Sequence, residues 1–383
     1  MDNQAAQPLR ACQVLQGNEA CVEGALLAGC RFFAGYPITP ASEVAEAMSQ
    51  RMPEAGGIFL QMEDEIASIN SIIGAAWGGK KAMTATSGPG YSLMQEGIGY
   101  AAATQTPCVI VNVMRGGPST GQPTLASQQD VYQAKYGSHG DYEPIVLIPS
   151  SAQEAADMTI RAFNLAERYL VPVSLLLDEI VGHTRERVTL PTRPELINRT
   201  KPPAGIDYRP FEPIPALGGV CYRADFGEGR ALLVDGQLHD HMGNRVGHKP
   251  AESAAHVRRI CDKITQNAAL ISDYSLHFAD DAEIMLLAYG STARSALRAV
   301  LEGREAGMKM GLIRLKTLFP FPDALVKELG DRAKAVFVPE MNIGKIVNEV
   351  RRVVNSDVFS IPKLGGEMPT PAEILKSVRE VRP

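Results

Sequence analysis

Three acidic side chains stand at the start of a predicted helix that is built mostly from small residues. Glu63, Asp64 and Glu65 follow the apolar run IFLQM, and the helix continues through Ile, Ala, Ser and Gly from 65 to 78. The positive end of a helix dipole favours an acid here, which accounts for one carboxylate. It does not account for the glycine nine residues after Glu65. The local pattern therefore leaves open what a carboxylate at the start of this helix does.

The turn TSGPG, residues 86–90, follows a predicted buried strand and precedes a predicted helix. Such a turn presents backbone N–H groups and a helix N-terminus at the carboxyl end of a parallel sheet, where ligands of these folds bind. Ser87, Gly88, Pro89 and Gly90 are therefore candidate ligand-binding residues. The sequence lacks the Gly-Lys-Ser/Thr of a phosphate loop and the dinucleotide fingerprint. Alternatively, TSGPG is a tight turn that only connects the strand to the helix.

Two further polar side chains lie at predicted strand ends. Thr39 offers a hydroxyl group in the loop GYPITP, which Pro37 and Pro40 stiffen because proline fixes φ. Arg115 ends the apolar strand 107–114, and its planar guanidinium group could hold a carboxylate through two charge-assisted hydrogen bonds. The alternatives are a simple turn hydroxyl for Thr39 and a surface ion pair for Arg115.

The elements that must position these residues alternate between strands and helices from about residue 18 to 185. The predicted strands are 58–62, 81–86, 107–114 and 171–179, and the predicted helices are 18–30, 65–78, 90–105 and 152–169. Strands that are almost wholly apolar and separated by helices predict a parallel sheet covered on both faces. Residues 1–187 are therefore predicted to form one α/β domain.

The character of the sequence changes after this domain. Residues 188–280 are rich in proline and poor in periodicity, which predicts an extended connecting segment in which helical spacing returns at 251–270. Residues 281–383 are predicted to form a second, smaller parallel α/β domain. Its predicted strands are 284–289, 310–315 and 335–339, and its predicted helices are 291–306, 322–330 and 344–355.

Composition and charge exclude several classes of protein. The chain has 383 residues, of which 45% are hydrophobic and 21% charged, as in ordinary globular proteins. A formal net charge of −5 and the lack of a basic run argue against nucleic acid as a partner. No apolar stretch has the length of a membrane span, and the opening MDNQAAQPLR lacks the features of a signal peptide. A cytoplasmic location is expected.

Patterns that bind metals are weak in this sequence. The six cysteines, at positions 12, 21, 30, 108, 221 and 261, form no Cys-x-x-Cys pair, so neither a zinc site nor an iron–sulfur cluster is predicted within the chain. Histidines concentrate only in HDHMGNRVGH, residues 239–248, where no cysteine or second set of carboxylates accompanies them. This stretch is interpreted as a polar loop, with a metal site as the alternative.

The segment from Glu65 to the TSGPG turn resembles the pyrimidine-binding domain of thiamine-diphosphate enzymes. In that family a glutamate opens a small-residue helix and a glycine follows, which matches Glu65 and Gly74 here, before a strand that ends in Thr-Ser-Gly-Pro-Gly. The resemblance implies that Glu65 hydrogen-bonds the far ring nitrogen of the cofactor's aminopyrimidine. That bond stabilises the imino tautomer, which removes the thiazolium proton. By the same resemblance, the cofactor contacts are Tyr36, Pro37, Ile38, Ser87, Gly88, Pro89 and Gly90.

Two longer stretches narrow the resemblance. GCRFFAGYPITPASEVAEAM (29–48) and VNVMRGGPSTGQPT (111–124) are similar to the alpha subunits of 2-oxoacid:ferredoxin oxidoreductases, and the likeness covers nearly the whole chain. It implies a thiamine-diphosphate-binding fold followed by a smaller α/β domain like the C-terminal domain of transketolase. It also implies that Thr39 and Arg115 hold the carboxylate of a 2-oxoacid substrate, and that coenzyme A takes the acyl group.

The half of the cofactor site that holds the diphosphate is missing from the sequence. That half normally carries Gly-Asp-Gly and a later asparagine; here only Asp235-Gly236 matches in part, and Asn244 follows too closely. The resemblance therefore implies that this chain binds no metal and holds only the pyrimidine end of thiamine diphosphate. A beta subunit would supply the diphosphate site, Mg²⁺ and a [4Fe–4S] cluster. Ferredoxin, an (alpha–beta)₂ assembly, and gamma and delta subunits are the other implied partners.

Within this family, LQGNEACVEGALLAGCRFFAGYPITPASE is most similar to the 2-oxoglutarate branch. The implied reaction converts 2-oxoglutarate, coenzyme A and oxidised ferredoxin reversibly to succinyl-CoA, CO₂ and reduced ferredoxin. A pyruvate or branched-chain 2-oxoacid substrate, a non-redox thiamine enzyme and a non-catalytic assembly subunit are alternatives. Arg51, Lys135 and His139 are candidates for holding the second carboxylate of 2-oxoglutarate.

Overall fold

The structure is a computed structural model that describes residues 11–381. The segment MDNQAAQPLR, on which the signal-peptide expectation depends, lies outside the described residues. The first half of the described chain forms nine strands: β1 (Ala11–Gln16), β2 (Cys30–Gly35), β3 (Ile58–Gln61), β4 (Lys81–Thr86), β5 (Cys108–Gly116), β6 (Gln122–Ala126), β7 (Ile145–Leu147), β8 (Pro172–Asp178) and β9 (Arg185–Leu190).

Most of these strands form one central sheet. Its order is β7-β8-β5-β4-β2-β3, with all neighbours parallel, and β6 pairs with β5 in the antiparallel sense. Strands β1 and β9 form a separate antiparallel pair. Successive residues of β5 enter two different cores, Val109 and Val111 on one face and Ile110 and Met114 on the other. The predicted parallel sheet, covered on both faces, is therefore confirmed.

Helices connect these strands and cover the sheet. They are α1 (Gly17–Leu27), α2 (Ser42–Glu54), α3 (Glu65–Trp77), α4 (Gly88–Leu93), α5 (Gln95–Ala103), α6 (Val131–Tyr136), α7 (Ala152–Tyr169) and α8 (Glu179–His183). Two predictions need correction. The helix predicted at 18–30 ends at Leu27, because Gly29 takes a φ of +88° and reverses the chain into β2. The single helix predicted at 90–105 is divided at the buried Met94 into α4 and α5.

The connecting segment is more closely packed than its composition predicts. Residues 191–249 contain one short 3₁₀ turn (Pro215–Leu217), and then α9 (Pro250–Thr265), α10 (Ala268–Ile271) and β10 (Tyr274–His277) follow. The Arg199 guanidinium group forms a buried ion pair with Glu167 of α7, with Nη2 to Oε1 at 2.6 Å. The Arg223 guanidinium group stacks on the Trp77 ring at 3.8 Å. The segment is therefore fixed to the first sheet. The helical spacing predicted at 251–270 is confirmed.

The last part of the chain forms a second sheet of five strands in the order β10-β12-β11-β14-β15, in which only β10 is antiparallel to its neighbour. Its remaining elements are β11 (Ile284–Tyr289), α11 (Thr292–Glu305), β12 (Met310–Leu315), β13 (Thr317–Phe319), α12 (Asp323–Arg332), β14 (Ala335–Glu340), α13 (Ile346–Val353), β15 (Asp357–Pro362) and α14 (Pro371–Glu380). Strand β13 does not belong to this second sheet. It pairs with β7 at the edge of the first sheet.

A buried polar network joins the two sheets. Gln128 lies at its centre and is fully buried; its Nε2 donates to Asp178 Oδ2 and to the Tyr289 carbonyl oxygen, each at 3.1 Å. Asn342 Nδ2 donates to the Gln128 carbonyl oxygen at 2.8 Å. Glu340 accepts from the Tyr289 hydroxyl at 2.5 Å. Because every one of these side chains is fully buried and bonded, the junction holds the two parts in one orientation.

None of the helices in the described part of the chain combines the length and the apolar character that crossing a membrane would require.

Candidate active site

Glu65 is the first residue of α3, the helix that follows β3 in the chain. The helix begins here because Asp64 caps it: Asp64 Oδ1 accepts from the Ala67 backbone N–H at 2.7 Å. Only 4% of Glu65 is exposed. Burial raises the pKa of its carboxyl group, and the charge of Asp64 adds to the rise while that of Arg115 opposes it. Burial therefore makes the protonated form, which can donate a hydrogen bond to a ring nitrogen, easier to reach than in an exposed glutamate.

The Glu65 carboxyl group rests against the TSGPG turn. A Cβ atom added to Gly90 would lie 2.2 Å from Glu65 Oε1 and 2.1 Å from Thr86 Oγ1. Within the described structure, the hydroxyl oxygens of Thr86 and Ser87 are buried and have no hydrogen-bond partner. Buried polar groups normally have partners, so these orphaned hydroxyl groups beside a buried carboxyl group indicate a polar ligand.

Replacing Gly90 tests whether this close approach matters. We expect Gly90→Ala to lower the turnover of the assembled enzyme by about a hundredfold, because the new methyl group must displace the Glu65 carboxyl by more than an ångström. Gly247→Ala is the comparison, since this exposed glycine lies on the connecting segment and its Cβ would meet only Gln237 Oε1 at an ordinary 3.8 Å. Turnover numbers of the two variants give the answer. Equal losses would contradict the assigned contact.

Arg115 connects the end of β5 to the loop GYPITP. Its side chain is 7% exposed, and Nη1 donates to the Thr39 carbonyl oxygen at 2.6 Å, while Nε is buried without a partner. Its charge also acts on Glu65. In the loop itself, Tyr36, Pro37 and Thr39 are exposed and Ile38 is half-buried. The structure thus gathers the predicted residues from three loops at one edge of the sheet. Their individual roles stay predictions.

Two polar residues of this edge were not predicted from the sequence. Asn112 is fully buried in β5 opposite Thr86 of β4; its Nδ2 donates to Asp130 Oδ2 at 3.0 Å, and its Oδ1 has no partner in the described structure. Burial raises the pKa of the Asp130 carboxyl group. Asp130 in turn lies near Gly88 of the TSGPG turn. A single asparagine within the apolar run PCVIVNVM was the signal that could have revealed this pair.

Hydrogen bonds to residues 341–345, which follow β14 of the second sheet, hold this edge in place. The Gln128 backbone N–H donates to the Met341 carbonyl oxygen at 3.1 Å, and the Tyr132 hydroxyl donates to the Lys345 carbonyl oxygen at 2.8 Å. Lys345 also donates through its ammonium group to the Gln129 carbonyl oxygen. Because these bonds fix residues on both sides of Asp130, the far end of the chain determines where that carboxyl group lies.

These residues fit one end of a thiamine cofactor. A buried carboxyl group, a glycine that leaves no room for a methyl group, and orphaned hydroxyl groups beside it form a cradle for a flat ring with hydrogen-bonding nitrogens. In the described part of the chain, no three His, Cys, Asp or Glu side chains are grouped so as to hold a metal ion.

The three candidates for a second substrate carboxylate lie in different surroundings. Arg51 forms ion pairs with Glu23 and Glu54, and Lys135 forms one with Glu143. His139 is exposed on the loop after α6. Arg51 and Lys135 are thus already engaged by carboxylates, and their role in binding substrate stays untested.

The chain matches two family models, consistent with its two sheets. Residues 23–230, more than half of the chain, match the family described as pyruvate flavodoxin/ferredoxin oxidoreductase, thiamine diphosphate-binding. Residues 282–374 match the family described as pyruvate:ferredoxin oxidoreductase core domain II.

Several curated relatives match over nearly their whole length. The chain is 49% identical over 368 residues to the 2-oxoglutarate synthase subunit KorA of Methanothermobacter marburgensis, covering 95% of this chain and 97% of that one. It is 51% identical over 368 residues to KorA of Methanocaldococcus jannaschii, covering 96% and 99%. Identity is lower, 36% over 376 residues, to the ketoisovalerate oxidoreductase subunit VorB of Methanothermobacter thermautotrophicus, covering 97% and 98%.

Solved structures agree with this grouping. The 2-oxoglutarate:ferredoxin oxidoreductase from Magnetococcus marinus, solved with 2-oxoglutarate, coenzyme A and succinyl-CoA bound, is 33% identical with a TM-score of 0.92; the match covers 97% of this chain and 65% of that one. A split-gene transketolase, at 14% identity, TM-score 0.56 and coverage of 96% and 98%, shares the fold. The predicted fold class, a thiamine-diphosphate-binding sheet with a transketolase-like second domain, is confirmed. The chain belongs to the pyruvate flavodoxin/ferredoxin oxidoreductase family, and is an oxidoreductase subunit related to those of 2-oxoglutarate synthase.

Proposed function

We propose that this chain is the alpha-type subunit of a 2-oxoglutarate:ferredoxin oxidoreductase. The reaction takes 2-oxoglutarate and coenzyme A to succinyl-CoA and CO₂, and two electrons leave one at a time to ferredoxin. One observation carries the proposal: a buried carboxyl group, Glu65, shares an edge of the sheet with Arg115, a buried guanidinium group whose Nε is free. The substrate is assigned from identity, which is higher to the KorA relatives than to VorB.

Each residue of the edge has a distinct task in this proposal. Thiamine diphosphate, when bound, supplies the nucleophilic carbon and the electron sink. Glu65 holds a proton at the far ring nitrogen of its pyrimidine. Arg115 and the Thr39 hydroxyl group hold the substrate carboxylate that leaves as CO₂, and the fork of Arg115 orients it. Tyr36, Pro37, Ile38 and residues 87–90 line the pyrimidine.

A partner beta subunit is required to complete the cofactor site. This chain offers the pyrimidine cradle, so the partner supplies the diphosphate contacts, Mg²⁺ and a [4Fe–4S] cluster in an (alpha–beta)₂ complex. The surface around Glu65 supports this, since Ile66 on α3 and Ile58 and Leu60 on the edge strand β3 are large apolar side chains exposed by 41% to 50%. Such a patch beside a ligand site is typical of a protein interface.

Gamma and delta subunits are proposed as further partners. The Magnetococcus marinus chain is matched over 65% of its length, and the alpha subunit of 2-oxoacid:ferredoxin oxidoreductase 1 from Aeropyrum pernix over 52%. This chain thus matches only part of each of these longer chains. The gamma and delta subunits are proposed from the family resemblance, and copurification with the complex tests them.

Copurification and assay together test the proposed function. The chain is purified from its source with its companions and assayed for reduction of an artificial acceptor with coenzyme A present. We expect 2-oxoglutarate to give a higher kcat/KM than pyruvate or 2-oxoisovalerate, and a cysteine-rich companion to copurify. Isolated, the chain should not retain thiamine diphosphate and Mg²⁺. Faster turnover of either other 2-oxoacid would overturn the substrate, and stoichiometric cofactor on the lone chain would overturn the divided site.

A further inference from the structure

A cavity lies on the connecting segment, away from the sheet edge that carries Glu65. Its volume is about 410 Å³, and its walls are Arg209, the turn 239–242, and one face of α9 formed by Glu252, Ala255 and Arg259. This volume suits a small-molecule ligand. The cavity involves none of the residues assigned to the proposed reaction.

Arg259 is the unusual residue of this cavity. Its Nε and Nη2 atoms are buried and have no hydrogen-bond partner in the described structure. Burial lowers the pKa of the guanidinium group, an effect that Cys221 and Asp240 oppose. N–H groups that are shielded from water and lack acceptors cost free energy, because water's hydrogen bonds are lost and nothing replaces them. A bound anion would supply the acceptors.

The acidic side chains in the cavity wall do not provide acceptors for the Arg259 guanidinium group. Asp240 Oδ1 accepts from the backbone N–H groups of Met242 at 2.8 Å and Asn244 at 2.9 Å, so it serves the turn in which it lies. Glu252 Oε1 pairs with Lys249 Nζ at 3.1 Å on the first turn of α9. The cavity therefore presents an unpaired cation beside carboxylates that already have partners.

His239 adds an unpartnered acceptor in the same wall. Only 2% of this residue is exposed, and its ring lies between Phe211 and His256, with ring centroids 4.0 and 4.1 Å away. Its Nδ1 faces the Gln237 carbonyl oxygen at 3.3 Å, while its Nε2 is buried without a partner. Since burial lowers the pKa of His239 to about 4, the ring is neutral near pH 7. With the proton on Nδ1, Nε2 can accept a hydrogen bond from a hydroxyl group.

Two more basic side chains lie behind this wall, and neither pairs with a carboxylate among residues 11–381. Arg223 Nη2 donates to the Gln105 carbonyl oxygen at 2.5 Å, and Lys263 Nζ donates to Gln105 Oε1 and to the Leu170 carbonyl oxygen, each at 2.9 Å. Both side chains are buried. They lie close enough to each other that Arg223 helps to lower the pKa of Lys263, after burial itself, to about 7. Carbonyl and amide oxygens, and not carboxylates, thus hold these two basic side chains.

We propose that this cavity binds a phosphate group, either inorganic phosphate or the phosphate of a phosphomonoester. The Arg259 guanidinium group donates to the phosphate oxygens, and His239 Nε2 accepts from a P–OH group. Arginine suits this ligand because its planar fork gives two charge-assisted hydrogen bonds to one phosphate. The site adds a ligand to this subunit that its reaction does not require.

Calorimetric titration of the assembled complex tests the site. The complex is first saturated with thiamine diphosphate and Mg²⁺, and is then titrated separately with inorganic phosphate and with AMP, a phosphomonoester that fits the cavity volume. Whichever ligand binds more tightly identifies the source of the phosphate group. We expect one saturable site per chain in the wild type. Arg258→Gln, one residue earlier on α9 and exposed, is the matched control and should bind equally well.

Arg259→Gln separates a ligand site from a structural arginine. We expect it to weaken binding at least tenfold. In phosphate-free buffer it should unfold at the same temperature as the wild type or higher, because it removes two shielded N–H groups that lack acceptors. Should this variant fail to assemble, Arg259→Lys replaces it, with a severalfold loss expected because the planar fork is gone. No saturable binding by the wild type, or unchanged binding in the Arg259 variant, would overturn the proposal.

Discussion

Glu65→Gln is expected to lower 2-oxoglutarate-dependent reduction of an artificial acceptor by about two orders of magnitude or more in the assembled complex. Glutamine fills the same space as glutamate, but its amide cannot share a proton with a ring nitrogen as a carboxyl group can. The cradle formed by Gly90 and Thr86 would still accept the side chain. The loss should therefore appear in kcat, while thiamine diphosphate still binds.

Glu63→Gln is the matched control for this variant. Glu63 lies two residues before Glu65 and is exposed, so its replacement by the amide should leave turnover close to that of the wild type. Near-normal activity of the Glu65 variant, or an equal loss in both, would remove the assignment of Glu65. Subunit composition by gel filtration checks that each complex is assembled.

The pH dependence of stability gives Glu65 a second signature. Its pKa in the folded chain is raised, chiefly by burial, so the folded state holds this proton more tightly than the unfolded state does. The wild type therefore loses stability as the pH rises from the unfolded pKa, about 4.3, through the higher folded pKa. Glutamine mimics the protonated group at every pH. The unfolding temperature of Glu65→Gln at pH 7 should thus be equal to that of the wild type or higher. Residues that serve a reaction are often not the ones that give the highest stability.

The sequence allowed the central elements and the carboxyl group of the site to be predicted, for physical reasons. Strands such as β5 and β8 are buried on both faces, so their apolar runs stand out against the helices between them. Glu65 could be found because a helix start, a glycine spacing and a turn are all local features of the chain. Arg115 could be found because it follows an apolar strand within VNVMRGGPSTGQPT, a stretch that is similar to the family.

What escaped prediction depends on contacts between distant residues. Asp130 reaches Asn112 because residues 341–345 of the second sheet hold its loop, more than two hundred positions later in the chain. Strand β13 has three residues, and only its pairing with β7 shows that it belongs to the first sheet. In the connecting segment, Arg199 and Arg223 are buried against partners on α3 and α7, although the surrounding proline-rich sequence predicts only an extended connection. No local pattern reports such contacts.

Replacing Arg115 should produce the second large effect on the reaction. Arg115→Gln is expected to lower kcat/KM for 2-oxoglutarate by about a hundredfold, since a hydrogen bond to a charged group contributes about 1.5–3 kcal/mol. Much of the loss should appear as a higher KM, because the guanidinium group binds a carboxylate that the substrate already carries. Arg115→Lys keeps the charge but not the planar fork, so we expect an intermediate loss. Steady-state kinetics of the assembled complexes measure both.

The bond from Arg115 to the Thr39 carbonyl oxygen requires a control, because the variant could act by releasing the GYPITP loop. Thr39→Val removes the hydroxyl group and keeps that carbonyl acceptor, so the loop stays attached. If both side chains hold the same carboxylate, Thr39→Val should raise KM about tenfold, and the double variant should lose less than the two single losses combined. Additive losses would mean that the two residues act independently. An unchanged KM in Arg115→Gln would show that the guanidinium group does not contact the substrate.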